Sequence, residues 1–400
     1  MGNRLLGSYA EILSFRGVKG FVVAGWLGRL SRSTTGIATV LLVSSVTGSF
    51  AVAGAVSAAI VVGSGLAGPL WSRLVDARGQ TAVLPIALLA FLSSAVGFAS
   101  VVLAEGPRWS WFLCAFLVGF TSLDFGSLAR ARWSAALESP AHRHHALALE
   151  SVNDELVFVV GPPVVVLLAS VAAPVAGFAT GVAVTLAGGV ALLLQTTTSP
   201  RVAPRERSRR RGGPVPAGVL AVLPVYLGVG LVFASIDVSS VAVGRELGST
   251  PVTGLVVACL AIGSVVAGIV FGPLSAAWSP RRRVLVSTAA YAVVIPALLL
   301  PREAIGLSIA VFAAGLVTTP VLISGMSFIE SRTDRGRLTE ALSWPSIGTS
   351  AGITVGSALT GLTIDVLGAF PGLLIAAAGA LVVGAAGLTC WLIAMRRVPS

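Results

Sequence analysis

The sequence predicts an all-α membrane protein of twelve transmembrane helices in two pseudo-symmetric six-helix halves, and three observations carry that expectation. First, 55% of the 400 residues are apolar and 11% are charged, against roughly 25% charged in a soluble globular chain. A mean hydropathy of +0.93 agrees. Second, the apolar residues fall into runs of about 20 or more, the length a helix needs to cross the hydrocarbon of a bilayer. Third, the basic residues cluster in alternate gaps between those runs, the asymmetry that orients membrane helices.

The spans follow in order when the chain is cut at charges, turn residues and interfacial Trp. The first, near Gly20–Val46, follows Arg4, Arg16 and Lys19 and runs on without a small-residue cleavage site, so it is read as a retained span. The next three lie near Ala51–Trp71, Thr81–Ala104 and Trp109–Ala129. The fifth and sixth, near Ser151–Ala172 and Val175–Gln195, belong to a stretch from Leu156 to Pro200 without a charge, whose length demands a break near Pro174. The second six lie near Pro216–Gly244, Pro251–Leu274, Val284–Leu300, Ala304–Phe328, Ala341–Ile364 and Pro371–Met395. With both termini cytoplasmic, inner loops and tails hold 22 of the 27 basic residues. Arg108, Arg245 and Arg302 lie outside, and Arg29 and Arg32 fall within the first span.

The hydrophilic run PRVAPRERSRRRGG separates six spans from six. It defines a first half at 1–195, a basic cytoplasmic linker at 196–215 whose charge is read as setting topology, with a lipid-binding polybasic patch as the alternative, and a second half at 216–400. Corresponding loops repeat: GPLWSRLVDARGQ begins at Gly68 after span 2, and GPLSAAWSPRRRV begins at Gly272 after span 8. A weaker echo joins Ala146, Leu147 and Gly161 to Ala341, Leu342 and Gly356. Both point to parallel repetition of a six-helix unit.

On these residues the chain resembles the major facilitator superfamily, whose marker after span 2 reads G-x-x-x-D-R-x-G-R-R. The match rests on Asp76, Gly79, spacing and topological position, with Ser72, Ala77 and Gln80 as departures. The resemblance implies a secondary transporter in the cytoplasmic membrane that works by alternating access. It also implies a cytoplasmic lock in which Asp76 and Gly79 act with an Arg below span 4, here Arg130 or Arg132, and with the positive end of a span 11 helix. Pro162 and Pro163 resemble the Gly-Pro element of superfamily antiporters and are expected to kink span 5.

Other chemistries are excluded. A net charge of +11 would suit nucleic acid, but its placement in loops between apolar runs suits an anionic leaflet instead. There is no GxxxxGK[ST] loop for ATP, no HExxH and no GxSxG, so neither a self-powered pump nor an enzyme is expected. Cys114, Cys259 and Cys390 stand singly, and His142, His144 and His145 read as a solvated loop rather than a metal site. No cofactor or metal is expected.

What remains is ionisable groups at membrane depth, each costing roughly 2.5 to 3.5 kcal/mol at a helix centre unless a cavity or partner receives it. Arg29 and Arg32 share a face of span 1 with Gly25 and Gly36. Asp124 in span 4 is expected at the depth of Arg29 and so to pair with it. Glu150 and Asp154 read as interfacial, near a helix start, whereas Glu155 points elsewhere and remains a candidate. Asp237 in span 7 either snorkels toward Arg245 and Glu246 or serves gating or substrate. Arg29, Arg32, Asp124, Glu155 and Asp237 are thus the candidates for substrate or proton coupling. The expected function is proton-coupled efflux of a small organic solute by a monomer in the lipid bilayer. Proton-coupled import, and a transporter-like sensor or assembly protein that moves nothing, are the alternatives.

Overall fold

The computed structural model describes residues 11–137, 139–200, 217–275, 278–333, 341 and 344–396. These form thirteen α-helices with short 3-10 turns, and no strand occurs among them. Helices are what hydrocarbon demands, because every backbone N–H and C=O must find its partner within the segment. In order they are α1 (Val18–Thr47), α2 (Phe50–Arg78), α3 (Gln80–Leu103), α4 (Arg108–Thr121), α5 (Phe125–Ala136), α6 (Pro140–Val171) and α7 (Pro174–Leu194). After the linker, which apart from Thr196–Pro200 lies outside the described residues, come α8 (Ala217–Glu246), α9 (Thr250–Ser275) and α10 (Pro280–Val294). The last three are α11 (Ala304–Ser331), α12 (Trp344–Leu367) and α13 (Leu374–Arg396).

Among the described residues ten segments are long and apolar enough to cross a membrane, with α4 and α5 forming one of them. The 30-residue α1 and the 32-residue α6, whose apolar part is Leu156–Val171, complete a twelve-span layout. Side chains such as Val171, Val293, Leu300 and Val366 are more than three-quarters exposed, a surface that lipid covers and water would not.

Two spans depart from the expected cuts. Span 4 is broken at 122–124, where Asp124 caps α5 by accepting from the Gly126 N–H at 3.0 Å. Span 5 begins about ten residues earlier than expected, because Ser139 and Pro140 form a helix start with Pro at the first position. Glu150 is therefore about 15 Å along α6 rather than at its mouth, and α6 continues as helix through Pro162 and Pro163.

The chain groups into two compact units, residues 1–39 with 62–209, and residues 40–61 with 210–400. Inside the first, α3 packs against α4 and α7; inside the second, α10 packs against α11 and α13. These are the same pairs of spans, three with four and six, nine with ten and twelve. The repeat extends to contacts that only glycine allows. A Cβ on Gly63 would overlap the Phe116 carbonyl across spans 2 and 4, and one on Gly263 would overlap the Phe312 carbonyl across spans 8 and 10. Gly161 meets Leu30, Ser33 and Thr34 of α1, and Gly356 meets Leu231 and Ala234 of α8. The echo between Gly161 and Gly356 thus marks equivalent packing of spans 5 on 1 and 11 on 7.

Candidate functional site

In the first unit four charged side chains form one chain of alternating sign. Arg29, 3% exposed, pairs through Nη2 with the Glu150 carboxylate, 1% exposed. Its Nε lies 3.4 Å from Asp154 Oδ1, and Asp154 Oδ2 accepts from Arg130 Nη1 at 3.0 Å. Trp133 Nε1 donates to the second Glu150 oxygen at 2.7 Å, and Arg29 Nη2 lies 3.4 Å from the Gly126 carbonyl. Two cations and two anions on α1, α5 and α6 cancel, which is how ionised groups tolerate hydrocarbon. Glu150 and Asp154 stand four residues apart, one turn of α6, so both reach the same side.

This replaces the expected Arg29–Asp124 pair. The helix break turns Asp124 onto the N-terminal N–H groups of α5, where an acid is a good cap, and the earlier start of α6 brings Glu150 to the depth of Arg29. Glu150 and Asp154, expected only as acids near a helix start, are accordingly the ion-pair partners of Arg29. The signal that could have revealed them is the Ser-Pro helix start at 139–140. The side chain of Glu155 lies outside the described residues. Arg32 is exposed, one turn beyond Arg29, and forms no ion pair among the described residues.

A second anchor lies on the same helix α5. Arg132 is fully buried, donating through Nε to Gln80 Oε1 at 2.8 Å, through Nη1 to the Gln195 carbonyl and Thr198 Oγ1 at 2.8 and 2.9 Å, and through Nη2 to the Leu192 carbonyl at 2.8 Å. Gln80 in turn donates to the Leu128 carbonyl at 3.1 Å. The guanidinium ties the start of α3 and the end of α7 to α5, beside a core of Phe21, Leu84, Leu128, Trp133 and Leu192. Gly79 opens the turn into α3 with φ of +84°, a left-handed conformation in which any Cβ is strained.

Asp76 is paired with neither Arg130 nor Arg132 here, and most of the approach to span 11, whose helix end is its other expected partner, lies outside the described residues. Arg132 is held in this buried staple and Arg130 pairs through Nη1 with Asp154, while Asp76 is exposed and takes part in no ion pair among the described residues. Gln80, Gln195 and Thr198 were not foreseen, since uncharged polar residues at span ends give no sequence signal of pairing. Arg132→Lys keeps the charge but not the planar fork. It is expected to lower stability by about 2 to 3 kcal/mol as buried acceptors lose their donor. Thermal unfolding of the purified variant reads this directly, and an unshifted midpoint removes the staple role.

In the second unit, Asp237 lies half-buried on α8, nine residues before Glu246 and so about 14 Å inward from that end. At that distance snorkelling to Arg245 does not occur: Arg245 instead donates to the Ser44 carbonyl at 3.3 Å, and Glu246 accepts from the Ala369 N–H at 2.8 Å. Asp237 makes no ion pair among the described residues and stands in a hydroxyl-rich stretch with Ser235, Ser239 and Ser240, all buried. Ser235 donates to the Gly372 carbonyl at 3.0 Å and Thr253 to the Ser240 carbonyl at 3.0 Å, whereas Ser239 Oγ is buried without a partner. Among the described residues no group of His, Cys, Asp and Glu is placed to hold a metal ion. His142 contacts Glu11 at 3.3 Å, and the side chains of His144 and His145 lie outside the described residues.

The repeated helix pairs find their counterpart in a sequence profile, that of the Major Facilitator Superfamily, which matches residues 21–237 and again 219–400. The chain belongs to the Major Facilitator Superfamily. No curated protein matches it by sequence. Among solved structures it is similar to the nucleoside transporter NupG, with a TM-score of 0.66 at 12% identity over 96% of this chain and 99% of that one. It is also similar to the POT family transporter PepTSo, with a TM-score of 0.70 at 11% identity over 95% and 99%. A bacterial homolog of the human lysosomal transporter Spinster gives 0.69 at 14% identity over 95% and 96%. At these identities the likeness is one of fold. The superfamily chain is thus a multi-pass membrane transporter of a small molecule, not an enzyme.

Proposed function

We propose that this superfamily member expels a small amphipathic organic solute across the cytoplasmic membrane in exchange for protons, as a monomer. One observation carries the coupling: Asp237 is a carboxylate deep in α8 with no basic partner among the described residues, so a proton is the cation at hand to neutralise it. The Arg29–Glu150–Asp154–Arg130 chain supports it from the other unit as a fixed, self-neutralised scaffold that leaves Arg32 uncommitted. An exposed guanidinium about 21 Å along α1 avoids the cost of facing lipid only by facing a polar passage, where it can receive an anionic or strongly dipolar group of the solute. The scarcity of other intramembrane charge fits a solute that is otherwise apolar, and such solutes collect in the inner leaflet from which an exporter draws.

The test is reconstitution in liposomes with an imposed pH difference and a panel of amphipathic anions and neutral solutes. The efflux reading requires solute movement opposite to the proton gradient together with solute-dependent proton flux. Co-directional movement of solute and protons establishes import instead, and no movement of either establishes the non-transporting alternative. The membrane orientation is tested separately with an impermeant maleimide. Cysteine at Arg282 is expected to react only from the cytoplasm, and cysteine at Glu105 or Glu303 only from outside, as the basic-loop asymmetry requires. The reverse pattern inverts the assigned topology.

A further inference from the structure

The turns that follow spans 2 and 8 are copies of one another that have diverged in charge. Aligned on their GPL triplets, residues 68–80 carry Arg73, Asp76 and Arg78, whereas residues 272–284 carry Arg281, Arg282 and Arg283 and no acid. Pro280 stands at the place of Asp76, and Trp278 at that of Leu74. Arg281 and Arg282, in the first turn of α10, are both exposed, and among the described residues neither guanidinium forms an ion pair or a hydrogen bond. The Arg282 guanidinium lies 4.8 Å from the centroid of the Trp278 ring, which meets Phe271 of α9 edge-on at 6.3 Å. Arg283 turns back and donates through Nε to the Ser275 carbonyl at 2.9 Å, tying the start of α10 to the end of α9. Ile262, Val266, Ile269 and Val270 fall at helical spacing on one face of α9, and each is at least 40% exposed. Val286 and Val293 of α10 are exposed as well. Both helices pack against α11, so these other faces are left to the acyl chains of the bilayer.

We propose that the turn between α9 and α10 is a binding site for an anionic phospholipid, whose phosphate is held by Arg281 and Arg282 and whose chains lie along the exposed faces of the two helices. The partner must match both parts of this surface. Two guanidinium groups without an acid beside them call for an anion, and their planar forks suit phosphate oxygens, which they can engage in pairs. An apolar face that runs up to those cations calls for a molecule with hydrocarbon attached to the anion, which a soluble phosphate lacks. A zwitterionic phospholipid brings its own ammonium next to the phosphate and so fits two uncompensated cations less well than a lipid of net negative charge. Trp278 contributes in two ways: a Trp is at home at headgroup level, and its ring restrains the Arg282 side chain, so less freedom is lost when the phosphate is gripped. The turn after span 2 is an internal contrast, because Asp76 between Arg73 and Arg78 offsets one of the two cations there. The site belongs to the second unit alone and depends neither on the solute nor on proton coupling.

The test titrates full-length protein in maltoside micelles with dioleoylphosphatidylglycerol or, as the net-neutral control, dioleoylphosphatidylcholine. The lipid mole fraction that gives half of the rise in the thermal unfolding midpoint is read for each. Phosphatidylglycerol is expected to act at about a tenfold lower mole fraction than phosphatidylcholine. The double variant Arg281→Gln with Arg282→Gln is expected to lose that preference while keeping the response to phosphatidylcholine. Arg73→Gln with Arg78→Gln removes the same number of charges from the turn after span 2 and is expected to keep the preference within about twofold. Arg282→Lys keeps the charge but not the planar fork; it is expected to weaken the response to phosphatidylglycerol by about threefold, and it serves where the double variant does not fold. No preference in the wild type overturns the site, as does an Arg282→Lys titration identical to that of wild type. Equal losses in the two double variants also overturn it, because a diffuse attraction of all basic turns to anionic lipid would then account for the preference. Glycerol 3-phosphate, which carries the phosphate without chains, is expected to leave the midpoint unmoved, and a rise as large as that with the lipid overturns the assignment to a phospholipid. No flux or gradient enters these measurements, so failure of the efflux reading leaves the result standing, and the reverse holds too.

Discussion

Replacing Glu150 with alanine is expected to leave little folded protein in the membrane. The substitution strands Arg29, which is 3% exposed and loses its closest anionic partner, and it removes the acceptor of Trp133 Nε1. Breaking a buried pair by removing one member costs about 3 to 5 kcal/mol, a large share of the roughly 5 to 15 kcal/mol by which folded proteins are ordinarily stable. Asp154, 3.4 Å from Arg29 Nε and 25% exposed, is too loosely placed to take over. Arg29→Ala should be equally severe for the reciprocal reason. The double variant Arg29→Met with Glu150→Met removes both charges while keeping volume, and is expected to recover most of the monodisperse protein seen on size-exclusion chromatography. Losses that add across the single and double variants would show that the two residues act independently, and the charge chain would have to be abandoned as a folding element.

Asp237→Asn is expected to have the largest effect on transport while sparing the fold, because Asn preserves the shape and forgoes only the exchangeable proton. At one proton per solute, a pH difference of one unit supports about a tenfold solute gradient. The Asn variant should therefore equilibrate solute without concentrating it, retaining exchange of labelled for unlabelled solute across the liposome. An Asn variant that still builds the tenfold gradient removes Asp237 from coupling. Asp124→Asn provides the contrast: as the cap of α5 it accepts from the Gly126 N–H at 3.0 Å, a task Asn performs nearly as well, so coupling should be unchanged.

Hydropathy and charge parity were enough to determine the twelve-span, two-half architecture from sequence, because both report a physical requirement of each segment by itself: about 30 Å of hydrocarbon to cross and a preference of Arg for one side. The same holds for the repeated Gly161 and Gly356, since a close helix contact needs a residue without a side chain wherever it recurs. Partner choice was decided only in three dimensions. Arg29 had Asp124 at the expected depth, but depth counted along one helix assumes that the neighbouring helix is unbroken. The break at 122–124 gave Asp124 a local backbone partner, and the early start of α6 at Pro140 carried Glu150 and Asp154 inward. Arg132 shows the same limit. Its acceptors Gln80, Gln195 and Thr198 and the carbonyl of Leu192 lie 52 to 66 residues away in sequence, and no periodicity within a span encodes which carbonyls a distant guanidinium will meet. Asp365, whose carboxylate accepts from the Phe50 and Ala51 N–H groups, was unforeseen for a related reason: an acid near a helix end reads as interfacial, and only the packed structure shows that the groups it serves belong to α2. Local sequence sets which segments are helical and how they cross the bilayer, whereas charges in a low-dielectric interior settle on whichever partners the assembled helices bring within reach.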